Sequence, residues 1–114
     1  MTDCIFCKIV KGDIPCAKVY EDDKVIAFND ISPASPIHVL IIPKEHITSV
    51  NDVNEGNQHI ISHIFITIGK IAKELNIDSE GYRVVTNIGK KGGQTVDHLH
   101  FHILGGRNLG WPPG

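Results

Sequence analysis

Apolar residues recur at three- and four-residue spacing through Ile60, Ile61, Ile64, Ile68, Ile71, Ala72 and Leu75. That period predicts an amphipathic helix from about Val53 to Asn76, with one face buried. Asp52, followed three residues on by Glu55, resembles a capping pair at its start. Elsewhere the pattern is that of strands. Lys18 to Tyr20 and Val25 to Asn29 flank the acidic stretch Glu21-Asp22-Asp23 and read as a hairpin. His38 to Ile42 is almost continuously apolar, which suggests a strand buried on both faces. Tyr82 to Thr86 is rich in β-branched residues, and His98 to Leu104 forms a last strand ended by Gly105 and Gly106. Cys4 to Val10 reads as a short helical turn, and the prolines of Ser32-Pro33-Ala34-Ser35-Pro36 make a loop. The expected class is α+β: a mostly antiparallel sheet of about five strands, one long helix and a short N-terminal helix, in a single domain over residues 1–114.

Composition narrows the function. A formal charge of -2 argues against a large electrostatic footprint for nucleic acid or membrane. Any phosphate must therefore be held by donors placed in a pocket. No apolar run is long enough to span a bilayer, and Met1-Thr2-Asp3-Cys4 lacks the basic start of a secretory signal. Three cysteines, an odd number, fit a reducing cytoplasm better than a disulfide framework.

Seven histidines are many for 114 residues, and His98, His100 and His102 alternate along the last predicted strand. On a strand, alternate side chains share a face and lie ~7 Å apart. The three imidazoles would line one face while Leu99, Phe101 and Ile103 pack the core. Three readings compete: a polar face that happens to carry histidine, a metal site, and nucleophilic catalysis by a neutral imidazole. Immediately upstream, Asn87 to Gln94 contains three glycines, a loop able to turn backbone N–H groups toward an anion.

At these residues the chain resembles the histidine-triad family, and within it the Hint branch of nucleoside phosphoramidate hydrolases. The resemblance runs through Ile5-Phe6-Cys7-Lys8-Ile9, Ala27-Phe28-Asn29-Asp30-Ile31-Ser32-Pro33, Ile42-Pro43-Lys44-Glu45-His46, Gly92-Gly93-Gln94, the histidine row and Trp111-Pro112-Pro113-Gly114. It implies a HIT-like fold and His100 as the nucleophile that takes the nucleotidyl group, with the carbonyl of His98 fixing its tautomer. It also places His102 and His38 around the phosphate. Asn87, Gly93, Gln94 and Thr95 match the phosphate side, Gln94 and Thr95 as donors there. Asp30 matches the ribose-binding carboxylate, and from the residues alone it reads equally as a turn cap before Ser32-Pro33. Phe6, Phe28, Ile31 and Leu40 match the base pocket.

Cys4 and Cys7 have the spacing of a metal pair, of a redox dithiol or of a buried turn. The resemblance implies structural zinc held by Cys4, Cys7, His46 and His98, no catalytic cofactor, and a homodimer in which Trp111 approaches the partner's active site. It further implies hydrolysis of adenosine or other purine phosphoramidates. Dinucleoside polyphosphates or nucleotidyl sugars are alternative substrates, and a non-catalytic nucleotide-binding module is the alternative from another class. Cys16, His59 and His63 receive no role; the two histidines lie four apart on a helix whose isoleucines explain the stretch.

Overall fold

The computed structural model describes residues 4–114; Met1, Thr2 and Asp3, part of the segment read for a leader, lie outside the described residues. Strands β1 (Lys18–Glu21), β2 (Val25–Asn29), β3 (Ile37–Pro43), β4 (Arg83–Val85) and β5 (Phe101–Gly105) form one sheet in the order β1-β2-β3-β5-β4. Every neighbouring pair is antiparallel. Helix α1 spans Ile5–Lys11 and α2 spans Gln58–Glu74. The expected α+β class is the observed one. Among the described residues no helix is long and apolar enough to cross a membrane.

Alternation along the strands divides the core into two. Val25, Ala27, Val39, Ile41, Phe101 and Ile103 pack against Ile60, Ile64, Ile68 and Ile71 of α2. The intervening residues, Ile26, Phe28, Leu40 and Ile42, pack with Phe6 and Ile9 of α1. That is why β3 reads as a continuous apolar run: both of its faces are covered. The period of two also puts His38 on the α1 side with Leu40, and His102 opposite Leu40 in the β3–β5 register. Register alone therefore brings His38 and His102 together on the less crowded face.

Two boundaries differ from expectation. Helix α2 begins at Gln58, not near Val53, and Asp52 and Glu55 form no capping box. Asn54 turns the chain first: its Oδ1 accepts from the N–H groups of Gly56 (2.8 Å) and Asn57 (3.2 Å). An amide side chain offering that local partner competes with helix. Upstream, Val50–Asp52 is a separate 3₁₀ turn capped by Ser49. The second difference is that β5 starts at Phe101, so His98 and His100 precede it. The three histidines do not form one row on one strand. The β3–β5 ladder ends at the Ile41–Phe101 pair, and Pro43, still paired with Val25 of β2, has no N–H to offer beyond it. The carbonyl of Pro43 instead accepts from Nε2 of His98 at 2.9 Å, and the N–H of Leu99 turns to the carbonyl of Ile47.

Candidate active site and metal centre

His100 is buried, and its Nδ1 lies 2.7 Å from the carbonyl oxygen of His98. A carbonyl only accepts, so Nδ1 carries the proton and the lone pair is on Nε2. Phe6 stands edge-on to the ring with centroids 5.1 Å apart. Thr86, just beyond β4, donates its hydroxyl to the carbonyl of His100 at 2.8 Å. The imidazole is thus held at its backbone, at one nitrogen and along one edge before any ligand arrives.

A second chain of protons runs beside it. The N–H of Ala34 donates to Nδ1 of His38 at 2.9 Å, so that nitrogen holds a lone pair and the proton of His38 sits on Nε2. Nε2 of His38 is 2.9 Å from Nδ1 of His102, which must then accept. The proton of His102 is therefore on Nε2, a buried atom with no hydrogen-bond partner among the described residues. Burial, with His100 and His38 nearby, pushes His102 down to about 4, so it stays neutral at pH 7. The outcome is an uncharged N–H donor with no partner among the described residues.

Two cavities meet at these rings. One, of about 410 Å³, is lined by Phe6, Phe28, Asp30, Leu40, Thr95 and His100. Ile31 reaches its rim although the residue is 99% exposed. Ile14, Cys16 and Val96 also line it; their apolar or unpaired character gave no sequence signal beyond core. The other cavity, about 510 Å³, is lined by His38, Arg83, Val85, Asn87 and Leu104. His102 borders both. Asp30 fulfils its turn-capping reading through Oδ1, which accepts from the N–H of Ser32 at 2.7 Å, while Oδ2 lies 3.5 Å from Nε2 of His38. Gln94 is committed to its own loop. Its Nε2 donates to the carbonyls of Thr48 (2.7 Å) and Val96 (3.0 Å), and its Oε1 accepts from Gly89. Gly93 beside it has a φ of +85°, in the left-handed region that glycine adopts freely.

His98 lies on the same side of the sheet as His100, against α1, where Phe6 stands edge-on to both rings. It is fully buried, with Nε2 bound to Pro43 and Nδ1 lying 3.3 Å from Sγ of Cys4 and 3.5 Å from Sγ of Cys7. Nδ1 of His46 is 3.2 Å from Sγ of Cys7. A tetrahedral zinc with ordinary bond lengths separates its ligand atoms by roughly 3.3–3.8 Å. All four donor atoms lie within 4.8 Å of one another, and the Pro43 contact leaves on His98 the lone pair a metal needs. Burial and the neighbouring Cys4 push the Cys7 thiol up from its ordinary value, so a pair of thiolates here calls for a cation. The residues fit a closed zinc site. Asp30, His38 and His102 also cluster within 4.8 Å, but there the proton on Nε2 of His38 blocks coordination. Moving it to Nδ1 would set it against the N–H of Ala34. The two clusters differ in tautomer: Nδ1 of His98 is left free to ligate, whereas Nε2 of His38 carries a proton.

The HIT domain pattern matches residues 11–109. The chain is 45% identical over 114 residues to the 14 kDa zinc-binding protein of Brassica juncea, covering 98% of this chain and all of that one. It superposes with a TM-score of 0.96 on a HIT family hydrolase from Legionella pneumophila, 47% identical, over 98% of this chain and 100% of that one. A histidine triad nucleotide-binding protein from Candida albicans gives a TM-score of 0.84 at 38% identity, over 96% and 83% of the two chains. With a family pattern that spans most of its length and relatives matched end to end, the chain belongs to the HIT domain family.

Proposed function

We propose that this protein is a Hint-branch hydrolase of purine nucleoside phosphoramidates, with His100 as nucleophile. The observation that carries this reading is the bond from Nδ1 of His100 to the carbonyl of His98, which leaves the Nε2 lone pair on a ring that lines a nucleotide-sized cavity. In the first step Nε2 attacks phosphorus, the bond from phosphorus to the amine breaks, and the departing nitrogen takes up a solvent proton. In the second step water attacks the nucleotidyl-histidine; the nucleotide is released, His100 is restored and a proton returns to solvent. The unpartnered N–H of His102 donates to the phosphoryl group as charge grows there, and His38 holds it in that tautomer.

The base lies among Phe6, Phe28, Leu40 and Ile31, and the free oxygen of Asp30 accepts from the ribose hydroxyls. Thr95 and the backbone of the Gly93 turn supply donors on the phosphate side, and Gln94 keeps that turn in place. Asn87 serves the leaving-group cavity. Zinc held by Cys4, Cys7, His46 and His98 supplies a structural cross-link and takes no part in the reaction; no catalytic cofactor is used. The working form is a homodimer. Phe65, which stands edge-on to Phe101, and Ile66 of α2 are 52% and 60% exposed, β4 is an unpaired sheet edge, and Trp111 is 83% exposed. The compartment expected from the three free cysteines is the cytoplasm.

Arg83 on the wall of the larger cavity favours a second reading, in which the leaving group is anionic, as in a dinucleoside polyphosphate. Turnover of a fluorogenic adenosine phosphoramidate, beside a dinucleoside polyphosphate, tests both. Activity abolished by His100→Ala is the expected result. No turnover of either substrate by wild type would leave only a binding module.

A further inference from the structure

We propose that the metal centre is the positioning device of the nucleophile: occupancy of Cys4, Cys7, His46 and His98 sets the tautomer and orientation of His100. This rests on the readings of His100 as nucleophile and of zinc in the cysteine–histidine cluster. The geometry that carries it is that one residue, His98, serves both centres. Its ring belongs to the metal cluster and its carbonyl holds Nδ1 of His100.

That carbonyl is not held by the sheet, since β5 begins only at Phe101. Four contacts fix residues 98–100, one of them the Thr86 hydroxyl on the carbonyl of His100. The ring of His98 is pinned at Nε2 by Pro43, Leu99 bonds to Ile47, and Nδ1 of His98 faces the two thiols. Pro43 and Ile47 bracket His46, another ligand. A metal therefore ties both anchors of this segment to a common point. The same point controls the ring packed on the nucleophile. Cys4 caps α1 and Cys7 lies within it, and Phe6, between them, stands edge-on to both His98 and His100, at 5.9 and 5.1 Å. With the metal bound, α1, the 43–47 segment and His98 move as one body. Without it, the cluster keeps only contacts between thiols and imidazoles, which are weak hydrogen bonds. Cys4, Cys7 and His46 act through His98 and touch no reacting atom.

The test compares zinc-loaded protein with protein stripped by a chelator and shown to remain folded by its amide NMR spectrum. The first readout is the ¹⁵N signature of His100; the second is turnover of the adenosine phosphoramidate. Loaded protein is expected to show a single Nδ1–H tautomer. Stripped protein is expected to show mixed tautomers and a kcat about 10-fold or more lower, restored by zinc, in the range typical of groups that orient a site from behind. If stripping unfolds the chain, both readouts move to zinc-loaded Cys7→Asp, whose carboxylate still ligates but with a different reach. An unchanged His100 signature and unchanged kcat in either preparation overturns the proposal, as does failure of the protein to take up zinc. Absence of turnover in loaded wild type would instead overturn the hydrolase reading, and the nitrogen spectra would still decide the coupling.

Discussion

Nε2 of His38 donates to Nδ1 of His102 across 2.9 Å, and the direction of that bond is dictated by the N–H of Ala34 on the far side of His38. The two rings form a one-way relay that ends in an unpartnered N–H. His38→Ala should release Nδ1 of His102 and populate the other tautomer. The expected effect on turnover is on the order of 100-fold in kcat, the scale of losing one preorganised donor. Kinetics together with ¹⁵N spectra of His102 check it. A lowered rate with an unchanged His102 tautomer would contradict the relay.

Acid should destabilise the fold in a defined window. His102 is held down to about 4, by burial first, below the ordinary histidine value near 6.5. The unfolded chain therefore binds a proton that the folded chain refuses. The contribution of His102 is complete above pH ~6.5 and is lost as pH falls toward 4, at up to about 1.4 kcal/mol per pH unit. Denaturant melts of wild type and His102→Gln across this window check the sign, the variant showing the shallower loss.

How far the sequence carried the account is visible in the histidine segment. Alternation correctly sent Leu99, Phe101 and Ile103 to the α2 core; the closeness of His38 to His102 came from the register, which sets Leu104 opposite His38 and Leu40 opposite His102. Alternation also put His98 and His100 on one side, where Phe6 meets both rings, but it set them in a strand that begins only at Phe101. The helix start failed similarly: apolar period continues through Val53, but Asn54 captures its own backbone first. The roles of the Ala34 N–H, the Pro43 carbonyl and the Thr86 hydroxyl had no signature in the sequence. Two are backbone groups, and the third reads as an ordinary β-branched strand residue.

His63, to which the sequence gave no task, joins α2 to the β1–β2 turn. Its Nε2 lies 2.7 Å from Oδ2 of Asp22, which also accepts from Tyr20, while Oδ1 accepts from the N–H groups of Lys24 and Val25. Burial pushes the Asp22 carboxyl up, but those donors outweigh it and hold the group below the usual carboxylate range. Asp22→Ala should cost about 2–3 kcal/mol of stability and His63→Ala about 1 kcal/mol. Thermal melts check both, and turnover well below the melting range should match wild type.

Gly92 is required by space. A Cβ there would run into the backbone of Ile88, across the turn that Gln94 closes. Backbone cannot swing aside as a side chain can, so Gly92→Ala should deform the phosphate-side loop. A KM raised about 10-fold, with stability lowered by only ~1–3 kcal/mol, is the expected outcome. A Gly92→Ala enzyme with wild-type KM would remove this loop from the binding site.

The most direct test of the account is to catch the bond to His100. Acid-quenched single-turnover reactions with an adenosine phosphoramidate, followed by peptide mass spectrometry, should show one adenylyl group on the peptide containing His100. It should form and decay at rates consistent with turnover and be absent from His100→Ala. Turnover without that adduct, or an adduct on His38 or His102 in place of His100, would contradict the assignment of the nucleophile.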